Sequence, residues 1–536
     1  MILKPTDKKR LMNPVDSVDF RWTLGGQETP MRRPLRPQRP PCPPLHIVFI
    51  FLIALSLSAC SSFAPAPRQD LKGNVPRYYA VYPSESGAES GAESESKSAT
   101  GPKSGSGKGR LDQWWEAFND GELNALVQTA LSENFRLKEA FARFRQAAAM
   151  SVRTGSALYP DLFFEGNASR KQQRIKNDTY TSTGTSGSYA LSMISSYELD
   201  LWGRVRSEVN QALLDQQATR EDMRTAAMTL SASVTEKWVS ILSQRMQKKL
   251  IRQQMETALT FLELIELRFQ KGMVSALDVY QQRQIVQQLR GRIPLIERSE
   301  QLITNELALL SGLASGRMIL IHREILPALS NLPSMGIPAD LLGSRPDVRA
   351  AWLRVQSGDW QVSAAKAARL PAIRLRANAG YGPSRGSLLF DNWLMNLAAN
   401  LTAPLFDAGS RRAEVARTHA LVDERVTAYR RTVYTAIKEV EDALTSETRR
   451  REHLKELAGE LNTARKALNE ARERYRKGLS DYLPVLTQLI TVQGLEQNMI
   501  QRRTELLLDR VSLYRALGGR WMNNIFSDGI FSDGFN

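Results

Sequence analysis

Two stretches of the chain, Gly203 to Gly272 and Gly409 to Gly478, have the same separation of 69 residues between their glycines, contain no proline and carry apolar residues at steps of three and four. In the second, Leu454, Leu457, Leu461, Ala464, Leu468, Ala471 and Tyr475 keep the coiled-coil period without a slip. Met255, Ala258, Leu262, Ile265 and Phe269 hold the same register in the first. At the helical rise per residue, each stretch predicts a rod roughly 100 Å long. Lys271-Gly272 and Lys477-Gly478 place a cation in a last turn and a glycine just past it, a helix stop. Helical patterning then resumes from Leu277 to Leu310 and from Leu483 to Leu517. The pattern therefore predicts two long antiparallel helical hairpins with tight tips, with Pro294 kinking or breaking the first return limb.

Ahead of each rod the period changes to two. Ile373, Leu375, Ala377, Ala379 and Tyr381 alternate with Arg374, Arg376, Asn378 and Gly380; Trp393, Met395, Leu397, Ala399 and Leu401 alternate with a face carrying Asn396, Asn400 and Thr402. Leu162 to Lys171 and Tyr189 to Leu201 are weaker versions, with Tyr189, Leu191, Met193, Tyr197 and Leu199 on one face. Runs of about ten residues are long enough for a tilted strand to cross a bilayer core. Their polar connections, Lys171 to Ser188 and Gly382 to Asn392, read as surface loops. Four strands cannot close a membrane barrel, and lipid leaves no backbone group unpaired, so closure must come from other chains.

The two halves are copies of one another. Arg268-Phe-Gln-Lys-Gly272 returns as Arg474-Tyr-Arg-Lys-Gly478, and Gly203 returns as Gly409, both at an offset of 206, while Pro160 returns as Pro371 at an offset of 211. The difference falls between the proline and the glycine, where the strands and loops are placed.

Composition narrows the function. The chain has 536 residues, 42% of them hydrophobic and 24% charged, and the formal charge is +16. Residues 1 to 59 hold nine Lys/Arg against four Asp/Glu, and the remaining charge is interleaved along helix faces rather than clustered, which argues against a nucleic-acid partner. The only cysteines are Cys42 and Cys60, and His46, His322, His419 and His453 are isolated, so no disulfide, metal centre or cofactor is expected. No phosphate-cradling loop and no nucleophile–base arrangement is found, and no enzyme is expected.

Leu45 to Ala59 is a 15-residue apolar block preceded by Arg32, Arg33, Arg36 and Arg39, an export signal too short to span as a stop-transfer helix. It ends in Leu57-Ser58-Ala59-Cys60, similar to the bacterial lipobox, so Cys60 is the expected site of acylation and anchoring. A signal starting at Met31 would have ordinary length, so residues 1 to 30 are expected to be an upstream extension or the product of a misassigned start. Ser61, where an Asp would resemble an inner-membrane retention signal, favours the outer membrane. The Ser/Gly/Glu-rich stretch from Ser84 to Gly109 reads as a flexible tether.

Several further stretches complete the picture: Trp114-Trp115-x-x-Phe118 with Leu123, Leu126, Ala130-Leu131 and Asn134; Leu341-Leu342-x-x-Arg345-Pro346-Asp347-Val348-Arg349; Leu370-Pro371; Arg474-Tyr475-x-x-Gly478; and Leu513-Tyr514-Arg515-Ala516-Leu517-Gly518-Gly519-x-Trp521. In these and their order the chain resembles the outer membrane efflux protein family, the TolC-like outer membrane factors, and within it the NodT-like lipoprotein branch. The resemblance implies a mainly α fold with membrane β, a TolC-like α/β-barrel built from long antiparallel helical hairpins plus four strands per chain. It implies a homotrimer, where the residues alone leave a dimer as the competing count. It also implies an exit duct joined through a periplasmic adaptor protein to an inner-membrane transporter.

The expected organisation is a leader and signal peptide over 1–59, an acylated tether over 60–110, a first repeat over 111–312, an equatorial linker over 313–340, a second repeat over 341–521 and a tail over 522–536. The tips carry the expected adaptor-docking residues Arg268, Lys271, Gly272, Leu277, Arg474, Lys477, Gly478 and Leu483. The family's entrance ring of Asp does not carry over, because Pro484 and Thr487 occupy its positions; Asp481 and Asp278 are the substitutes. A passive outer-membrane conduit for small molecules is the leading function. A lumen-less acylated coiled-coil scaffold and a duct for type I protein secretion are the alternatives.

Overall fold

The computed structural model describes residues 64–65 and 113–519, apart from 177, 179, 315–320, 330–331, 333–337 and 385–387. The export signal, Cys60, the tether, Trp521 and the tail over 522–536 lie outside the described residues.

A 3-10 turn at Trp114–Phe118 leads into α1 (Gly121–Glu133) and α2 (Phe135–Gly155). Asp120 and Asn134 cap these two helices by accepting from the amides of Leu123 and Leu137. The chain then forms β1 (Asp161–Lys176) and β2 (Thr181–Leu199), followed by α3 (Arg204–Gln270) and α4 (Ala276–Leu310). After the single turn α5 (Leu341–Ser344) the order repeats: α6 (Pro346–Ala367), β3 (Ala372–Ser384), β4 (Trp393–Thr402), α7 (Ser410–Arg476) and α8 (Leu483–Leu517). The two rods α3 and α7 are both 67 residues long and both start after a glycine with φ above zero, Gly203 and Gly409; the return limbs α4 and α8 both have 35 residues.

The coiled-coil period translates into burial. Leu457, Leu461, Ala464, Leu468, Ala471 and Tyr475 of α7 are buried together with Ile251, Ala258 and Ile265 of α3 and with Val485, Leu489 and Val492 of α8. Each leucine, isoleucine and valine among them contributes about 1.5–3 kcal/mol by leaving water. Phe269, placed on this seam by periodicity, is instead exposed in the last turn of α3, which ends one residue later. Pro294 does not break the return limb: α4 runs helically through it.

Midway along α3 and at the end of α8, Trp114, Trp115 and Phe118 bury themselves against these two helices, with the Trp114 ring stacked on Tyr514 at 5.4 Å. The Arg-Pro-Asp stretch is explained here. Arg345, buried, holds Asp347 with two hydrogen bonds of 3.1 and 2.7 Å, pairs with Glu439 at 2.7 Å and donates to the Ala516 carbonyl at 3.0 Å. It therefore ties α6, α7 and the end of α8 together, close to Gly518, where a Cβ would stand 2.9 Å from the Ser344 carbonyl oxygen.

The strands form one antiparallel sheet in the order β1-β2-β3-β4. Asp161 pairs with Ser196, Leu199 with Ile373 and Ala372 with Thr402. One face carries Leu162, Phe164, Leu191, Met193, Leu375, Ala377, Leu397 and Leu401; the other carries Glu165, Asn167, Ser192, Arg376, Asn378, Asn396 and Asn400. The expected loop from Lys171 to Ser188 is mostly ladder instead, since Lys171 pairs with Ser186 and Lys176 with Thr181. Alternation of apolar residues could not show this, because both faces of that extension are polar, and backbone pairing alone carries it. β3 similarly runs into the second expected loop as far as Ser384.

Candidate functional site: the hairpin tips and the open sheet

Both tips are built alike. In the first, the Met273 amide donates to the Arg268 carbonyl and the Gly272 amide to Phe269, each at 2.9 Å. In the second, Leu479 donates to Arg474 at 2.9 Å and Gly478 to Tyr475 at 3.1 Å. This pair of bonds is the Schellman stop, and it needs a left-handed residue, supplied by Gly272 at φ +70° and Gly478 at φ +72°. Lys271, Gly272, Lys477 and Gly478 are exposed, as are the apolar side chains Met273, Leu277, Leu479 and Leu483 around them. Arg474 is exposed and paired with Glu470 at 2.9 Å. The structure thus brings Lys271, Gly272, Leu277, Lys477, Gly478 and Leu483 onto open surface at the two turns.

Arg268 behaves differently. It is half-buried, with its guanidinium 4.4 Å from the Tyr475 ring centre, so it packs one hairpin against the other. Tyr475 in turn lies 5.5 Å from Tyr482, whose hydroxyl donates to Gln282 Oε1 at 2.6 Å; Gln282 Nε2 donates to the Ala258 carbonyl at 2.6 Å. Tyr482 and Gln282 are both buried, and burial pushes the Tyr482 phenol well above its ordinary range, with Tyr475 and Asp278 adding to the shift. This polar brace joins α3, α4 and α8 just behind the tips. Periodicity missed it, since Gln282 is a polar residue on an otherwise apolar row and its partner is 200 positions away.

Of the two gate substitutes, Asp278 is engaged. Its carboxylate accepts from the Ser275 amide at 3.0 Å and from Ser275 Oγ at 2.9 Å, closing a capping box on α4. Asp481 is exposed on the turn before α8.

At the opposite end, where sheet becomes helix, Glu198 pairs with Arg204 at 2.7 Å and with Arg374 at 3.2 Å, and Trp202 Nε1 donates to the Pro371 carbonyl at 2.7 Å. Nearby, Leu405 and Phe406 are 96% and 90% exposed, more than any other large apolar side chain described. The outer edges of β1 and β4 have no strand partner among the described residues.

A family model described as outer membrane efflux protein matches residues 126–313 and 337–519. The chain is 33% identical over 422 residues to the pyoverdine export outer membrane protein OpmQ of Pseudomonas aeruginosa, covering 77% of this chain and 88% of that protein. It is 31% identical over 486 residues to the outer membrane protein OprJ of the same organism, covering 89% and 96%. Against the solved outer-membrane channel OprN the TM-score is 0.73 at 26% identity, over 76% of this chain and 93% of that one. The Campylobacter jejuni CmeC channel shares the fold, with a TM-score of 0.74 at 20% identity over 87% and 98%.

Proposed function

From the premise that this chain belongs to the outer membrane efflux protein family, we propose that it is the passive exit duct of a tripartite small-molecule efflux pump, assembled as a homotrimer and lipid-anchored at Cys60. The observation that carries the reading is the sheet with an apolar face, a polar face and two open edges, continuous through Gly203 and Gly409 with rods of equal length. A sheet of this kind is stable in lipid only when its edges meet partners, and three copies bring the strand count into the range of membrane barrels. The polar face then lines a lumen that the α-helices extend into the periplasm.

The open surfaces at the tips are the docking sites for the adaptor. Lys271 and Lys477 offer charge, and Met273, Leu277, Leu479 and Leu483 offer apolar area at equivalent places in the two copies. Asp481 faces the periplasmic entrance as its gate, while Asp278 shapes the helix start. The energy source and the choice of substrate lie with the inner-membrane transporter. The test is a deletion strain complemented with the chain and challenged with dyes, detergents and antibiotics: restored resistance that depends on a cognate adaptor supports the reading, and resistance unaffected by deletion opposes it.

A further inference from the structure

The charged side chains of the four strands divide unequally between the two faces of the sheet. The polar face carries both signs, Asp161, Glu165 and Glu198 against Lys171, Arg374 and Arg376. The apolar face carries no charge where the four strands pair, from Leu162, Leu375 and Leu401 to Ala168, Tyr381 and Trp393. Beyond Ala168 it then carries three cations and no anion, Arg170, Arg174 and Lys176, in the extension of β1 that runs to the turn farthest from the rods. All three are exposed and stand opposite Gly187, Thr183 and Thr181 across the ladder, and none has an ion-pair partner among the described residues. A hairpin bathed in water on both sides gives no reason for one face to mix its charges and the other to hold a single sign.

A second observation fixes what this face meets. The apolar face ends in the aromatic residues Tyr189, Tyr381 and Trp393, with Tyr189 paired to Ala168 and Trp393 to Tyr381. Such a girdle marks the depth at which hydrocarbon gives way to headgroups. The next outward position on β1 after Ala168 is Arg170, so the cations begin where the girdle stands.

We propose that Arg170, Arg174 and Lys176 form a lipid-facing stripe that binds the phosphate groups of a phosphorylated glycolipid, the lipopolysaccharide of the outer leaflet. The proposal rests on the reading of the sheet as a membrane wall with its polar face inward, and adds a lipid partner and the residues that hold it. Length decides between glycolipid and ordinary phospholipid. From Arg170 to Lys176 the strand advances roughly 20 Å, or about 15 Å of height at the usual tilt of membrane strands. A phospholipid presents its phosphate at one depth only, whereas lipopolysaccharide has phosphates on lipid A and again on its sugar core. Arg170 stands at the first level, and Arg174 and Lys176 at the second. The guanidinium fork suits a phosphate through two parallel hydrogen bonds, and lysine supplies a point charge.

The experiment uses purified full-length oligomer in detergent, stripped of lipid and titrated by microscale thermophoresis with four probes: lipopolysaccharide carrying core phosphates, the same material dephosphorylated, lipid A alone, and phosphatidylglycerol. Wild type is compared with the triple variant Arg170→Gln, Arg174→Gln, Lys176→Gln and with Lys171→Gln, which removes a cation from the other face of the same strand. The expected result is that the triple variant binds core-bearing lipopolysaccharide on the order of a hundredfold more weakly, in a salt-dependent manner, and that dephosphorylation has the same effect on wild type. Lipid A alone should fall between, and Lys171→Gln should bind as wild type does. Unchanged binding by the triple variant, or an equal loss in Lys171→Gln, overturns the stripe. Equal affinity for phosphatidylglycerol overturns the choice of glycolipid. Membrane fractionation and conductance of the same proteins read the duct separately: the triple variant should still reach the outer membrane and conduct, so a failed stripe leaves the duct standing, and wild type that does neither removes the premise of both.

Discussion

At the residue scale, the charge held inside the helical wall makes the sharpest predictions. Glu447 is buried against Arg510, with bonds of 3.0 and 2.6 Å, and also accepts from Arg451 at 2.8 Å. Burial works to raise its carboxyl, but the hydrogen bonds from Arg510 and Arg451 outweigh it and hold the group below the usual carboxylate range. A depressed folded pKa stabilises at pH above the unfolded value, and that stability is lost as pH falls through the folded value; below about pH 4 the wild type should lose this contribution and Glu447→Gln should not. Removing Arg510 instead leaves Glu447 buried with Arg451 as its remaining partner, so Arg510→Met should cost about 1–3 kcal/mol at neutral pH, measured by denaturant melts of the detergent-solubilised protein. At the tips the two glycines act through the backbone: a Cβ on Gly478 would find nothing within 4 Å, yet φ is +72°. Gly478→Val should therefore strain only the turn, by roughly 1–2 kcal/mol or more, and abolish efflux while oligomers still reach the outer membrane. Asp481→Ala should raise conductance and weaken block by divalent cations, whereas Asp278→Ala should chiefly cost the capping box, about 1 kcal/mol.

At the scale of elements, the proposed docking of an adaptor on both tips requires the two hairpins to end level. Deleting one heptad from each limb of the α3–α4 hairpin alone should abolish efflux, and the matched deletion in α7 and α8 should recover part of it; a resistance assay reads both. This equality was legible in the sequence, since an unbroken 3.5-residue period and paired glycine stops depend only on local spacing. The apolar halves of the strands were legible for the same reason. The polar extension from Lys171 to Lys176 with Thr181 to Ser188 was not, because a ladder solvated on both faces has no hydrophobic period. Nor was the brace of Tyr482, Gln282 and Arg268, whose members come together only when the two hairpins pack. Arg268 has the same Arg-to-Gly spacing as Arg474, yet one is half-buried on a tyrosine ring and the other is exposed on Glu470, a distinction set by the partner hairpin and not by the motif.

At the scale of the whole molecule, the proposed assembly of copies has to complete what the single chain leaves open, a sheet whose β1 and β4 edges have no strand partner among the described residues. Leu405 and Phe406 stand at the foot of one sheet edge and Leu162 and Phe163 at the foot of the other. If the proposed closure by copies buries this exposed apolar foot, Phe406→Asp should lower the temperature at which the purified oligomer dissociates, because it places an unpaired charge there. The central claim, that copies of this chain enclose a continuous aqueous lumen, is tested most directly by single-channel recording of the purified full-length protein in planar bilayers. The account predicts discrete, long-lived conductance steps from the oligomer. Stable outer-membrane oligomers that insert and conduct nothing, even with Asp481→Ala, would contradict it.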